Sequence, residues 1–168
     1  MIDIHRLIYL HGLESDSNSG KARQFREWFP GMLTPDFTGT LEERMTQLLP
    51  ILGKEKDWTI IGSSFGGLMG AAFTCDHPTQ VRKLILLAPA LMLPPFASRI
   101  HSTTLRTIPK PVSVKTIVIH GTLDNVVPLE PVREIAQTFF TDLTYIVVED
   151  DHRLHKSVQE LDWIKILE

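Results

Sequence analysis

Thiol chemistry is almost absent from this chain: Cys75 is its only cysteine among 168 residues. No intramolecular disulfide can form, which fits a reducing compartment. Cys75 falls on an apolar stretch, so a buried structural thiol is a better reading than a reactive one. Long apolar runs are missing too, and nothing approaches the ~20 residues that cross a bilayer. The N-terminus, Met-Ile-Asp-Ile-His-Arg, has no basic segment leading into an apolar one, so no signal peptide is expected. These absences together predict a cytoplasmic protein with no membrane partner. Lysine and arginine are scattered and the net charge is −3, so nothing electrostatic points to nucleic acid. The patterns G-x-x-x-x-G-K-[ST], G-x-G-x-x-G and H-E-x-x-H do not occur, nor does a closely spaced Cys/His cluster, so no cofactor and no metal are expected.

What is present reads as strands alternating with helices. Leu7-Ile8-Tyr9-Leu10, Trp58 to Ile61, Leu84 to Ala88, Thr116 to Ile119 and Tyr145 to Val148 are short continuous apolar runs, the pattern of parallel strands covered on both faces. Met32 to Thr34 is a weaker strand signal. Helices are predicted from Gly20 to Phe29 behind an N-cap at Ser19, with Phe25, Trp28 and Phe29 on one side. A second starts at the capping box Thr40-Leu41-Glu42-Glu43, with Leu41, Met45, Leu48 and Leu49 at helical spacing, and ends through Pro50 and Gly53. Others run over Phe65 to Thr74, from Pro131 to about Phe140, and from about Lys156 to Leu167. Such alternation predicts one α/β domain over residues 1–168 with a mainly parallel sheet. From Pro89 to Lys115 the pattern breaks down amid five prolines, as a functional loop or cap would.

In a parallel sheet, chemistry belongs at the carboxyl ends of the strands. Here those ends carry His11-Gly12, Gly62 to Ser64, Ala88-Pro89, His120 to Asp124 and Asp150 to His152. One of them, Gly62-Ser63-Ser64-Phe65-Gly66, is G-x-S-x-G between a strand and a helix, the setting of a nucleophile elbow. By itself the pentapeptide is weak, arising by accident in about one chain of this length in twenty. A serine hydroxyl attacks poorly unless a base removes its proton and an acid orients that base. Ser64, Asp124 and His152 fall at three of these strand ends in the chain order nucleophile, acid, base. His155 is a local rival for His152, but it lies where the last helix is expected to start. Asp150 and Asp151 read as solvated or capping residues, and His11 and His120 as loop-shaping or site-lining ones.

These segments (His11-Gly12, Gly62 to Gly67, His120-Gly121-Thr122-Leu123-Asp124-Asn125-Val126-Val127-Pro128 and Asp151-His152) resemble the signature segments of the α/β-hydrolase superfamily, in particular its small bacterial serine esterase and thioesterase-like members. The resemblance covers nearly the whole chain. It implies a three-layer sandwich of minimal form, opening directly on the strand before the oxyanion loop, with the cap reduced to residues 89–115. Ser64 would be the acylated nucleophile, His152 the general base and then acid, and Asp124 the orienting carboxylate. The backbone N–H groups of Leu13 and Phe65 would form the oxyanion hole. Substrate contacts are expected from His11, Met92, Phe96 and Val127, with the run from Ala90 to Phe96 as an apolar wall for the acyl group. The expected partner is a small-molecule ester or thioester. Acyl transfer on the same residues, or a non-catalytic binding protein on this fold, are the alternatives.

Overall fold

The computed structural model describes residues 2–97 and 108–168. Its strands are β1 (Leu7–Leu10), β2 (Trp58–Ser63), β3 (Val81–Leu87), β4 (Lys115–Gly121) and β5 (Leu143–Val148), in the spatial order β1-β2-β3-β4-β5. Every neighbouring pair is parallel, so the sheet is wholly rather than mainly parallel. Among the described residues six α-helices flank it: α1 (Gly20–Trp28), α2 (Leu41–Leu52), α3 (Phe65–Asp76), α4 (Leu129–Phe139), α5 (His155–Glu160) and α6 (Trp163–Leu167). No helix among the described residues is long and apolar enough to cross a membrane.

Successive strand side chains point to opposite faces, which divides the apolar runs between two cores. Ile8, Leu10, Ile60, Leu84, Leu86 and Val118 pack with Leu48 of α2, Phe73 of α3 and Val132 of α4. On the opposite face Leu7, Tyr9, Ile61, Ile85, Leu87 and Ile119 pack with Phe25 of α1, Val158 of α5 and Trp163 of α6. Each fully buried aliphatic or aromatic side chain contributes about 1.5–3 kcal/mol of burial free energy. Three layers result.

The Met32 to Thr34 segment is reduced to one parallel bridge, Leu33 to Ile8, on the side of β1 away from β2. Pro35 follows immediately and has no N–H with which to extend the pairing. The chain therefore leaves β1 outward to this bridge and then returns across β1 to β2. That reversal makes the carboxyl ends of β1 and β2 the switch point, where open parallel sheets bind their ligands.

At that point Ser64 has φ 54°, a left-handed conformation rare for a residue with a side chain. The turn is sharp enough to press α3 onto the end of β1. A Cβ added at Gly66 would lie 2.6 Å from the His11 carbonyl oxygen and closer still to that of Leu10. Glycine is the residue that lets the backbones meet.

Several predicted elements differ in detail, each for a local reason. α2 continues to Leu52 through Pro50, whose ring forfeits a single bond near the helix end; Gly53, at φ 57°, turns the chain out. The buried residue of its last turn is Leu52, while Leu49 is exposed. Trp28 is likewise partly exposed, leaving Phe25 and Phe29 as the buried aromatics at α1. α4 starts two residues before Pro131. β5, read as fully buried, is the sheet's edge and only half covered. The closing helix is two short ones, because Leu161 is extended and Asp162 restarts the turn by accepting from the Lys165 N–H. Of the expected cap, residues 90–97 form consecutive turns, and 98–107 lie outside the described residues.

Gly66→Ala is expected to lower stability by more than ~2 kcal/mol, because the new methyl group must displace backbone. Gly20→Ala, at the start of α1 in open space, should be neutral or stabilising by up to ~1 kcal/mol. Urea melts of the two variants check this. A Gly66→Ala midpoint equal to that of the wild type would show that the close approach is not required.

Candidate active site

Ser64 sits at the N-cap of α3, where a serine hydroxyl normally accepts from the helix N–H groups and contributes ~1 kcal/mol. Here it makes no cap bond. Its Oγ lies instead 3.0 Å from His152 Nε2, and His152 Nδ1 lies 2.8 Å from Asp124 Oδ2. The turn itself is fixed by main chain: the Ser64 N–H donates to the Leu87 carbonyl at 2.9 Å, and its carbonyl accepts from Ala90 at 3.0 Å. The predicted serine, acid and histidine are thus brought into one hydrogen-bonded line across β2, β4 and β5. His155, the rival, is exposed at the start of α5 and outside it.

Asp124 occupies a fully buried side-chain position. Burial alone would raise its pKa, but N–H donors from Val127 (2.8 Å) and Val126 (2.9 Å) to Oδ1, with the His152 ring on Oδ2, outweigh it. The carboxyl is held below its usual range and stays charged. The loop carrying it is stitched to the loop after β5: the Leu123 N–H donates to the Asp150 carbonyl at 3.0 Å, and a Cβ at Gly121 would collide with that same carbonyl. The ammonium of Lys21 in α1 donates to the Arg153 carbonyl, tying down the residue after His152.

A second histidine also reaches the acid. His120 is fully buried, with Nε2 2.9 Å from the Val127 carbonyl and 3.2 Å from Asp124 Oδ2. Both neighbours are acceptors, so the ring proton is on Nε2, and Nδ1 accepts from the Tyr145 hydroxyl at 2.8 Å. Burial lowers the His120 pKa below the ordinary 6.5 despite the Val127 and Asp124 contacts, keeping the ring neutral. His11 is arranged similarly. It is 1% exposed, its Nε2 accepts from the Phe37 N–H at 2.9 Å, and its Nδ1 donates to the Gly12 carbonyl at 2.7 Å.

The loop after β1 abuts the serine: a Cβ built on Gly12 would be 3.7 Å from Ser64 Cβ. Leu13 follows it and is exposed, and Phe65 opens α3, where the helix dipole favours negative charge. Of the expected substrate contacts, Met92 is open at 41% exposure. The other three hold structural positions: His11 in the loop contacts above, Phe96 buried edge-on against Phe139 at 5.0 Å, and Val127 buried with its N–H on Asp124. Leu91 and Ala90 are core residues, and of the expected apolar wall Met92 and Leu93 are the exposed large side chains. Cys75 is half-buried, with its thiol pushed up to about 12 by burial and by Asp76, which disfavours the thiolate.

Sequence reasoning missed Arg44. The residue is 2% exposed, its guanidinium donating through Nε to the Gly39 carbonyl (3.1 Å) and through Nη1 and Nη2 to those of Gly12 (3.4 Å) and Leu13 (3.1 Å). It also lies 5.1 Å from the centroid of the Phe65 ring. The available signal was its spacing: three residues after Leu41 and four before Leu48, an arginine inside the apolar stripe of α2.

The neutral state of His120 has a pH signature. Between its lowered native pKa and 6.5 the unfolded chain binds more protons, so stability falls as pH drops below about 6.5. His120→Gln cannot titrate. Its urea midpoint should fall less between pH 7 and pH 5 than the wild-type midpoint, whatever its stability at pH 7. Equal falls in the two proteins would exclude His120 as the cause.

Comparison with known proteins agrees with this architecture. The sequence model of the alpha/beta hydrolase fold family matches residues 17–110. No curated protein sequence matches the chain. Among solved structures it is similar to alpha/beta hydrolase domain-containing protein 10 from mouse, with TM-score 0.74 and 20% identity over 100% of this chain and 92% of that one. Est1E from Butyrivibrio proteoclasticus gives 0.67 and 18%, covering 96% and 88%. A monoacylglycerol lipase from Paleococcus ferrophilus gives 0.68 and 16%, covering 96% and 93%. With the family sequence model covering more than half its length, the chain belongs to the alpha/beta hydrolase fold family.

Proposed function

We propose that this protein is a serine hydrolase that cleaves small carboxylic esters or thioesters through an acyl-enzyme. The observation that carries the reading is the unbroken line from Asp124 Oδ2 to His152 Nδ1 at 2.8 Å and from His152 Nε2 to Ser64 Oγ at 3.0 Å. With Asp124 accepting the Nδ1 proton, the Nε2 lone pair of neutral His152 faces the serine hydroxyl. As Ser64 Oγ attacks the substrate carbonyl, its proton moves to His152, and the imidazolium is stabilised by the charged carboxylate. The carbonyl oxygen becomes an oxyanion, received by the N–H groups of Leu13 and Phe65. Donors of this kind contribute about 3 kcal/mol each.

Collapse of the tetrahedral intermediate expels the alcohol or thiol, which takes the proton back from His152. Water then repeats the sequence and releases the acid. The monoacylglycerol lipase among the similar structures belongs to the same reaction class. Exposed Met92, Leu13, Leu123 and Val126 on the surrounding loops favour an apolar acyl group over a charged one.

A fluorophosphonate probe should label wild-type protein stoichiometrically and Ser64→Ala not at all; an unreactive wild-type serine sinks the proposal. With a p-nitrophenyl ester, His152→Ala should lower kcat by ~10⁴-fold or more, whereas His155→Ala should change it little. The reverse pattern would reassign the base. A panel of oxygen esters and matched thioesters of increasing chain length ranks the substrates.

A further inference from the structure

The peptide between Gly12 and Leu13 carries the N–H proposed to receive the oxyanion, and three features determine where that N–H points. A trans peptide is planar, so its C=O and N–H point in opposite directions. Fixing the Gly12 carbonyl therefore aims the Leu13 N–H. Two buried side chains grip that carbonyl: His11 through Nδ1 at 2.7 Å and Arg44 through Nη1 at 3.4 Å. Arg44 Nη2 holds the next carbonyl, that of Leu13, at 3.1 Å, so both peptide planes flanking Leu13 are set by one rigid fork. The same guanidinium stacks on Phe65, whose N–H would be the second donor, and its Nε anchors it to Gly39 at the start of α2.

We propose that Arg44 is a positioning residue for the oxyanion hole, holding the Leu13 and Phe65 donors in register and polarising the Leu13 N–H. This rests on the serine-hydrolase reading above. Polarisation follows from the bonding pattern: a cation donating to a peptide carbonyl strengthens the N–H of that same peptide as a donor. Burying a guanidinium is costly, and the partners found for it among the described residues are neutral carbonyls and an aromatic ring. A negative charge arises one peptide away when the substrate carbonyl becomes an oxyanion, and Arg44 is already in place to meet it. Being 2% exposed, Arg44 would act through the loop, without touching substrate.

The test compares wild type, Arg44→Met and Arg44→Lys in p-nitrophenyl ester hydrolysis and in binding an aryl trifluoromethyl ketone, which forms a tetrahedral adduct with serine. Both variants should lose about 10–100-fold in kcat, less than the loss of an oxyanion donor itself, with KM within threefold of wild type. Affinity for the trifluoromethyl ketone should fall in parallel with kcat/KM, while affinity for the non-hydrating methyl ketone should hold. A merely structural arginine would not produce that split. Should Arg44→Met fail to melt cooperatively, Arg44→Lys decides, since it keeps the buried charge but puts one ammonium nitrogen where the planar fork placed two guanidinium nitrogens on separate carbonyls. Wild-type kcat in a folded variant, or equal losses of affinity for both ketones, overturns the Arg44 assignment alone. A wild-type protein inert to both ester and fluorophosphonate overturns the hydrolase reading, and this assignment with it.

Discussion

The backbone of Gly66 lies so close to the Leu10 and His11 carbonyls that no side chain fits between them. That contact draws the first turn of α3 against the end of β1. It sets the distance between the Ser64 elbow and the Gly12-Leu13 loop, and so whether N–H groups from two separate segments can face one oxygen atom. Ser64 accepts a left-handed backbone and gives up its cap bond in the same turn. Strain of this kind, costing of order 1–3 kcal/mol, persists only where the surroundings leave no alternative. Here the surroundings are two fully buried strands and a helix with glycine at the point of closest approach.

The electrostatics of the rim follow from how completely Asp124 is provided with donors. Two main-chain N–H groups take one carboxylate oxygen and two imidazoles take the other. The imidazoles differ in environment. His120 is enclosed, bonded at both nitrogens and neutral, so it supports the carboxylate without competing for its charge. His152 keeps 18% of its side chain open and presents its second nitrogen to the serine. One oxygen thus serves an enclosed ring and a partly open ring at once.

Most of the architecture was legible in the sequence because its strands are short apolar runs and its helices carry caps. The Thr40 capping box and the Ser19 cap form as their residues dictate. Ser64, Asp124 and His152 were legible because each follows a strand, and parallel strands deliver their ends to one rim. The sequence is less legible where tertiary position overrides local pattern. Tyr145 to Val148 resembles a central strand, yet half of it faces out because no further strand among the described residues covers β5. Phe96 and Val127 sit beside the expected site in sequence but turn into the core. Arg44 was illegible for the opposite reason: an arginine in an apolar stripe has no meaning until the carbonyls it meets, more than thirty residues earlier in the chain, are brought to it.

The strand order places the three aligned residues on parts of the sheet with unequal support. Ser64 follows β2, which is flanked by strands on both sides, while His152 follows β5, bonded to β4 alone. Between them, Asp124 hangs from β4 and is stitched to the β5 loop through Leu123. Edge strands open at lower free energy than central ones. The line from carboxylate to serine can therefore part by fraying of β5 while Ser64, its turn and the helix behind it stay folded. Parting that line needs only the outermost strand to open, and the buried middle of the sheet holds stability beyond what keeping the three side chains aligned requires.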